Sequence, residues 1–222
     1  MTPQLINDRL RLYLVTDRHL CGSRGVAATV QAALDGGVTM VQLRDPTAST
    51  SELCRSGLEL RRILLGTGVP LIVNDRLDVA FAIGADGVHL GQSDLHPTEA
   101  RRLAGPDLII GWSVSTVGES AEAVALPTGT VDYLGIGPVW ATPTKTDTAP
   151  PMGLAGLTAA VGIVGGALPC VAIGGINAEN AAEVAAAGVS GLAVVSAICG
   201  SPDPAAAAGA LRQAVQTRTG HP

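Results

Sequence analysis

Two side chains suited to an anionic ligand follow a short apolar run in the segment MVQLRDPT, residues 40–47. Gln42 and Arg44 are two residues apart, so in an extended strand they point to the same side. A guanidinium in such a position can form paired hydrogen bonds with a phosphate. The chain has a net charge of -5, so a phosphate ligand would need local positive groups of this kind.

Acidic residues follow two later apolar runs and could bind a hard cation. Asn74 and Asp75 end the run PLIVND, and Asp94 lies shortly after the run GVHL. Carboxylate oxygens suit Mg2+, with water and ligand oxygens completing its coordination shell. Each residue also has a structural interpretation, because Asn and Asp favour helix N-caps and turns. The metal site therefore depends on whether the fold brings the two acids together.

Hydroxyl groups, glycines and a lysine complete the set of candidates. The long segment 137–153 carries two threonines and a lysine, and loops of this length in compact domains are often functional. Glycines before a helix let backbone N–H groups approach an anion. The candidates of this kind are Ser113, Thr142, Thr144, Lys145, Gly174, Gly175, Val195 and Ser196. Together with the cation site they favour phosphate chemistry. We interpret His89, inside an apolar run, as a structural histidine.

The elements that must position these residues alternate regularly along the chain. Predicted strands cover 11–16, 39–44, 70–75, 87–90, 108–113, 132–137, 169–174 and 191–196. Predicted helices lie near 25–35, 50–66, 76–83, 97–104, 117–125, 154–164, 178–187 and 204–217. Strands joined through helices run parallel, and near-continuous apolar strands are typical of a sheet covered on both faces. Eight such units predict a (β/α)8 TIM barrel, in which the carboxyl ends of the strands carry the chemistry.

An open, doubly wound sheet is the alternative fold. It normally has a glycine-rich fingerprint after its first strand, and the segment YLVTDRHLCG has none. The chain contains no linker and no sign of a second domain. We therefore predict one (β/α)8 domain over residues 1–222, with short flexible ends near 1–8 and 218–222.

Composition argues against several classes of function. A net charge of -5 without a basic run is unlike a general nucleic-acid binder. Residues 148–178 and 184–202 carry no charge, but glycine and proline interrupt both, so neither fits a membrane-spanning helix of ~20 apolar residues. The four cysteines form no CxxC pair and the N-terminal segment lacks a signal-peptide core, so we expect a cytoplasmic protein. A homo-oligomer is compatible with the sequence.

At these positions the chain resembles the thiamine phosphate synthase family. The shared motifs are YLVTDR, VQLRD, VNDRLDVAFAIGADGVHLGQSDL, IIGWSVST, VDYLGIGPVWATPTKTD, VAIGGIN and VVSAI, spread from Tyr13 to about Ala214. The family joins 4-amino-2-methyl-5-(diphosphomethyl)pyrimidine to a thiazole phosphate, which gives thiamine phosphate and pyrophosphate. The resemblance therefore implies a transferase with two small-molecule substrates and Mg2+ as cofactor.

The resemblance also implies a role for each candidate residue. Contacts to the pyrimidine diphosphate are implied for Gln42, Arg44, Asn74, Ser113 and Lys145, with Arg44, Lys145 and Ser113 as the catalytic groups. Mg2+ is assigned to Asp75 and Asp94. The thiazole phosphate is assigned to Thr142, Thr144, Gly175, Val195 and Ser196. Loss of pyrophosphate followed by attack of the thiazole nitrogen needs no protein nucleophile, which fits the absence of a Ser–His–Asp or Cys–His pattern.

One position departs from the family motif. The family places a lysine after the acid of QLR-acid, where this chain has Pro46. Either Arg44, Lys145 and Mg2+ suffice, or another base such as Arg18 or Arg76 reaches the diphosphate, or the activity is altered.

A second difference concerns a relative of the family. The similar thiazole tautomerase has a histidine after the fifth strand, where this chain reads Ser-Val-Ser at 113–115. The sequence therefore favours the synthase. A tautomerase-like paralogue and a non-catalytic barrel that binds thiazole phosphate or thiamine phosphate are the alternatives.

Overall fold

The computed structural model describes residues 3–142 and 149–216. Its parallel strands are β1 (Leu12–Val15), β2 (Met40–Leu43), β3 (Leu71–Asn74), β4 (Gly87–Leu90), β5 (Ile109–Val114), β6 (Tyr133–Ile136), β7 (Cys170–Ile173) and β8 (Gly191–Val194). They form a closed barrel in chain order. Because β1 pairs with β8, the predicted (β/α)8 barrel is confirmed and the open sheet is wrong.

Helices connect successive strands and cover the outside of the barrel. They are α1 (Pro3–Leu10), α2 (Arg18–Cys21), α3 (Gly25–Asp35), α4 (Thr50–Leu64), α5 (Leu77–Ile83), α6 (Pro97–Ala104), α7 (Val117–Ala125), α8 (Gly153–Val164), α9 (Ala181–Ala186), α10 (Ser196–Cys199) and α11 (Pro204–Gln216). A 3-10 turn, Gly22–Arg24, separates α2 from α3. Within the described segments, none of these helices has the length and apolar character needed to cross a membrane.

Alternate residues of the strands pack into two separate apolar clusters. The inner cluster fills the barrel interior and consists of Ile6, Leu10, Tyr13, Val15, Met40, Ile72, Ile109, Tyr133, Val171 and Ala193. The outer cluster lies between the strands and the helices and includes Leu14, Val41 and Val73. Both faces of each strand are therefore covered, which explains the near-continuous apolar runs in the sequence.

The amino-terminal segment, for which the sequence predicted no helix or strand, forms a helix. Residues 3–8 belong to α1, and the side chains of Ile6 and Leu10 join the inner cluster. These two residues are four apart, so both lie on the same face of the helix. α1 therefore closes the barrel at the end opposite to the carboxyl ends of the strands. The other predicted end, 218–222, lies outside the described residues.

Local hydrogen bonds explain where helices begin. Ser49 and Glu52 form a capping box at α4: the Ser49 hydroxyl accepts from the Glu52 N–H at 3.3 Å, and the Glu52 carboxylate accepts from the Ser49 N–H at 2.8 Å. The helix predicted near 178–187 starts only at Ala181, because the Asn177 side chain accepts from the N–H groups of residues 179 and 180. Such bonds offer the backbone an alternative to the helix.

Candidate functional site

A cavity of about 750 Å3 opens at the carboxyl ends of the strands, and this volume is typical of a small-molecule site. Every predicted site residue within the described segments lines it: Gln42, Arg44, Asn74, Asp75, Asp94, Ser113, Thr142, Gly175, Val195 and Ser196. Thr144 and Lys145 lie outside the described residues. The barrel thus brings distant parts of the sequence to one place, while the role of each side chain stays a prediction.

Arg44 lies just beyond the end of β2 and is held by the neighbouring strand. The buried Thr16 hydroxyl accepts from the Arg44 N–H at 3.0 Å and donates to the Arg44 carbonyl at 3.4 Å. In the part of the chain that the structure describes, Arg44 is the only arginine or lysine lining the cavity. The backbone is therefore fixed where the guanidinium projects from the cavity wall.

Asp75 has an unusual backbone conformation for a residue other than glycine. Its φ angle is 63°, in the left-handed region, which Asp tolerates better than most residues. The Asn74 amide donates to the Asp75 carboxylate at 2.6 Å. Neither residue caps α5, whose N-cap is Arg76 without a side-chain hydrogen bond. The strained conformation at a cavity wall favours a functional interpretation over the N-cap interpretation.

Asp94 reaches the same cavity from the loop after β4. Its carboxylate accepts from the Gly91 N–H at 2.7 Å, which anchors the loop at the end of the strand. Among the residues of 3–142 and 149–216, no three His, Cys, Asp or Glu side chains cluster as a metal site. Two carboxylates on one wall nevertheless fit Mg2+, which usually keeps several water molecules and takes further oxygens from a substrate phosphate.

Glu119 is a third carboxylate at the cavity, and the sequence analysis did not identify it. It accepts from the Ser115 N–H at 2.6 Å. Asp75, Asp94 and Glu119 thus line the described part of the cavity together with Arg44, which makes three carboxylates against one guanidinium. This excess of negative charge means that a phosphate ligand would be favoured by an accompanying cation.

Pro46 lines the cavity, whereas the two arginines proposed to replace the missing lysine do not. The Arg76 guanidinium forms an ion pair with Asp78 at 2.6 Å and also donates to Thr50 at 2.9 Å. Arg18 lies on α2 and is not among the residues that line the cavity. The alternative that Arg76 or Arg18 supplies the missing charge stays a prediction.

The end of β7 has a backbone that only glycine adopts readily. Gly174 and Gly175 have φ angles of 105° and 69°, and a side chain on Gly174 would lie 2.7 Å from Pro138. The turn at 177–180 separates them from α9, so they do not stand at that helix start as predicted. Ser196 is the first residue of α10 and lies exposed at the opening of the cavity.

A chain of buried polar side chains crosses the floor of the cavity. The Gln42 amide donates to the Tyr13 hydroxyl at 2.7 Å, and the hydroxyl oxygens of Tyr13 and Tyr133 lie 2.9 Å apart. The Tyr133 oxygen is 3.0 Å from His89 Nδ1, and His89 Nε2 is 2.8 Å from Ser113 Oγ. Burial raises the pKa of both tyrosines, so both remain protonated phenols near neutral pH.

Sequence reasoning missed the two tyrosines and assigned His89 only a structural place. Tyr13 and Tyr133 are 120 residues apart, so nothing in their spacing indicates contact. One usable signal was present: they are the only tyrosines of the chain, and each lies in an otherwise aliphatic strand. A buried tyrosine hydroxyl usually requires a polar partner.

Comparison with known proteins shows the family to which the chain belongs. A family model described as thiamine monophosphate synthase matches residues 12–198. A thiamine-phosphate synthase from Albidiferax ferrireducens is 53% identical over 206 residues, covering 93% of this chain and 92% of that protein. One from Azorhizobium caulinodans is 50% identical over 208 residues, covering 94% of this chain and 96% of that protein.

Solved structures give the same result at the level of the fold. A thiamine phosphate pyrophosphorylase from Pyrococcus furiosus has a TM-score of 0.85 at 40% identity. The match covers 97% of this chain and 100% of the Pyrococcus chain. A 3-hexulose-6-phosphate synthase from Salmonella typhimurium, with a TM-score of 0.62 at 18% identity over 94% of this chain and 99% of that chain, shows the fold alone. By its family model and its relatives, this chain belongs to the thiamine-phosphate synthase family.

Proposed function

We propose that this protein is a thiamine phosphate synthase that condenses 4-amino-2-methyl-5-(diphosphomethyl)pyrimidine with a thiazole phosphate, carboxylated or plain. The observation that carries the proposal is that one cavity is lined by every candidate residue within the described segments. Membership of the family over most of the chain supports the same activity. The products are thiamine phosphate and pyrophosphate, and a carboxylated thiazole would in addition lose its carboxyl group as CO2.

The diphosphate end of the reaction is assigned to the β2 and β3 side of the cavity. Arg44 would pair with the diphosphate oxygens, because a guanidinium matches phosphate geometry with two parallel hydrogen bonds. Asp75 and Asp94 would hold Mg2+, which when bound neutralises negative charge on the phosphate oxygens. Lys145, outside the described residues, is the second cation that the family resemblance assigns to this end.

The thiazole end is assigned to the β6, β7 and β8 side. Thr142 and the backbone at Gly175, Val195 and Ser196 line the cavity there. Phosphate sites of many barrels lie after the seventh and eighth strands. The two substrates would therefore approach from opposite walls, with their reacting atoms between them.

The reaction then needs little from the protein beyond position and charge. The bond between the exocyclic CH2 and the diphosphate oxygen breaks, and its electron pair leaves with pyrophosphate. The CH2 cation, stabilised by the aminopyrimidine ring, accepts the lone pair of the thiazole nitrogen. Positioning of the two substrates and stabilisation of the leaving charge supply the rate enhancement.

A direct assay tests this proposal. Purified protein is incubated with both substrates and Mg2+, and thiamine phosphate and pyrophosphate are quantified, with reactions lacking one substrate as controls. We expect both products in equal amounts and only when both substrates are present. Tight binding of thiamine phosphate without product formation would instead identify a non-catalytic binding barrel and refute the proposal.

A further inference from the structure

The chain of side chains on the cavity floor connects two residues that line opposite parts of the wall. It runs from Gln42 on β2 through Tyr13, Tyr133 and His89 to Ser113 on β5. Tyr13 is 1% exposed and Tyr133 is 0% exposed, so water has little access to the two phenol groups, and His89 is 9% exposed. The two phenol hydrogens must therefore be donated to neighbouring protein groups.

The donors and acceptors favour one direction through this chain. Because Gln42 donates to Tyr13, the Tyr13 proton is directed to the Tyr133 oxygen, the other partner of that hydroxyl in the described segments. The Tyr133 proton is then directed to His89 Nδ1, which leaves the His89 proton on Nε2, where it is donated to Ser113 Oγ. The opposite direction would leave the buried Tyr13 proton without an acceptor among the described residues, which is unfavourable.

The barrel is built to make room for these contacts. A side chain at Gly111 on β5 would collide with both the Tyr133 phenol and the His89 imidazole. A side chain at Gly135 on β6 would lie 3.0 Å from the His89 ring. Gly111 has no positive φ angle, so the space it leaves, rather than its backbone freedom, explains a glycine there. The Tyr133–His89 contact is therefore a specific feature of the packing.

We propose that Tyr133 is a positioning residue that fixes His89 as its Nε2–H tautomer and thereby turns the Ser113 hydroxyl proton toward the bound pyrimidine. Ser113 then presents a donor to a ring nitrogen, while the Gln42 carbonyl oxygen, at the other end of the chain, presents an acceptor to the exocyclic amino group. The inference rests on the proposed function for its substrate, an aminopyrimidine. The buried Tyr133 hydroxyl thus determines which hydrogen-bond donor the site offers to the substrate, without contacting the substrate itself.

Substitution Tyr133→Phe removes the hydroxyl and keeps the ring. We expect kcat/KM for the pyrimidine diphosphate to fall about tenfold, while KM for the thiazole phosphate changes by less than about twofold. Ile136→Val is the matched control, because Ile136 is fully buried on the outer face of the same strand. It should reduce stability to a similar degree and leave both kinetic parameters within about twofold.

A double-substitution cycle tests whether Tyr133 acts through Ser113. In a Ser113→Ala background, Tyr133→Phe should lower kcat/KM by less than about threefold, because the group it positions is gone. An equal loss in both backgrounds would overturn the proposal. A decrease in kcat/KM that is equal for both substrates and is also caused by Ile136→Val would overturn the proposal as well. Such a result would indicate that Tyr133 has only a structural role.

Nuclear magnetic resonance of the protein labelled with 15N-histidine tests the tautomer without any activity measurement. We expect the His89 signal, assigned with a His89→Gln variant, to show protonated Nε2 and unprotonated Nδ1. A wild-type protein with the proton on Nδ1 would overturn the inference even if Tyr133→Phe does not fold. If the wild-type protein shows the expected tautomer but makes no thiamine phosphate, the proposed function fails while the assigned geometry stands.

Discussion

Arg44 is the residue that we propose to bind the diphosphate of the pyrimidine substrate. Replacing it with alanine should raise KM for the pyrimidine diphosphate about ten- to hundredfold, because charge-assisted hydrogen bonds to the leaving group are lost. KM for the thiazole phosphate should change by less than about twofold, since that substrate is assigned to the opposite wall. Arg55→Ala, the same change on the exposed face of α4, is the control. A selective rise in KM for the thiazole phosphate would contradict this placement.

Asp75 and Asp94 are assigned to one Mg2+ ion, so their substitutions should have the same effect. Asp75→Asn and Asp94→Asn should each raise the Mg2+ concentration needed for half-maximal rate by at least about tenfold. The measurement is a Mg2+ titration of product formation at saturating substrates. Asp107→Asn, in an exposed loop, should leave the titration unchanged. Wild-type metal dependence in either site variant would refute the assignment.

Pro46 occupies the position of the lysine expected from the family motif. It follows β2 rather than lying in it, and it lines the cavity, so a lysine there would break no strand pairing. Pro46→Lys should leave kcat/KM for the pyrimidine diphosphate unchanged or raise it by up to about tenfold. A lower value in a folded variant would show that the surroundings of Pro46 have diverged from a phosphate-binding site.

The sequence predicted the polar side chains at the strand ends. It did not predict the hydrogen-bonded tyrosines on the cavity floor. Gln42, Asp75 and Ser113 were identifiable because barrel topology places every strand end around one opening. Tyr133 and Glu119 were not, since their contacts depend on strand register and on the path of a loop. Neither property has a signature in the local spacing of residues.

At the scale of elements, α1 contributes more to stability than its position at the edge of the chain suggests. Leu10 is 0% exposed in the inner cluster, whereas Leu5 on the same helix is 43% exposed. Leu10→Ala should lower the free energy of unfolding by about 2–5 kcal/mol, against less than about 0.5 kcal/mol for Leu5→Ala. Urea unfolding measures both. Equal effects of the two substitutions would show that α1 does not close the barrel.

Strands were easier to predict than helix starts. Each predicted strand is present with its ends shifted by no more than two residues, because apolar runs bounded by glycine and proline have few alternatives. Helix α1 was not predicted at all, and the predicted start of α9, near residue 178, precedes the observed start at Ala181. In α1 only two side chains, Ile6 and Leu10, are in the inner cluster, so its sequence has a weak helical pattern. Before α9 the Asn177 side chain accepts hydrogen bonds from backbone N–H groups that would otherwise belong to the first turn of the helix.

At the scale of the whole molecule, one end of the barrel interior is filled by apolar side chains and the other end contains the candidate site. The amino-terminal half of the interior is filled by α1 and the inner cluster, and the carboxyl-terminal half holds the cavity of about 750 Å3. The two tyrosines lie at the boundary, with their rings in the inner cluster and their hydroxyls in the polar chain. Aliphatic packing thus holds the barrel rigid while its polar groups remain at one opening.

The most direct test of this account is a crystal structure of the protein with thiamine phosphate, pyrophosphate and Mg2+ bound. We predict that all three occupy the cavity at the carboxyl ends of the strands. Pyrophosphate should contact Arg44, the metal ion should contact Asp75 and Asp94, and the product phosphate should lie against Gly175 and Ser196. Product bound at another surface, or in the cavity with its two ends reversed, would contradict the account.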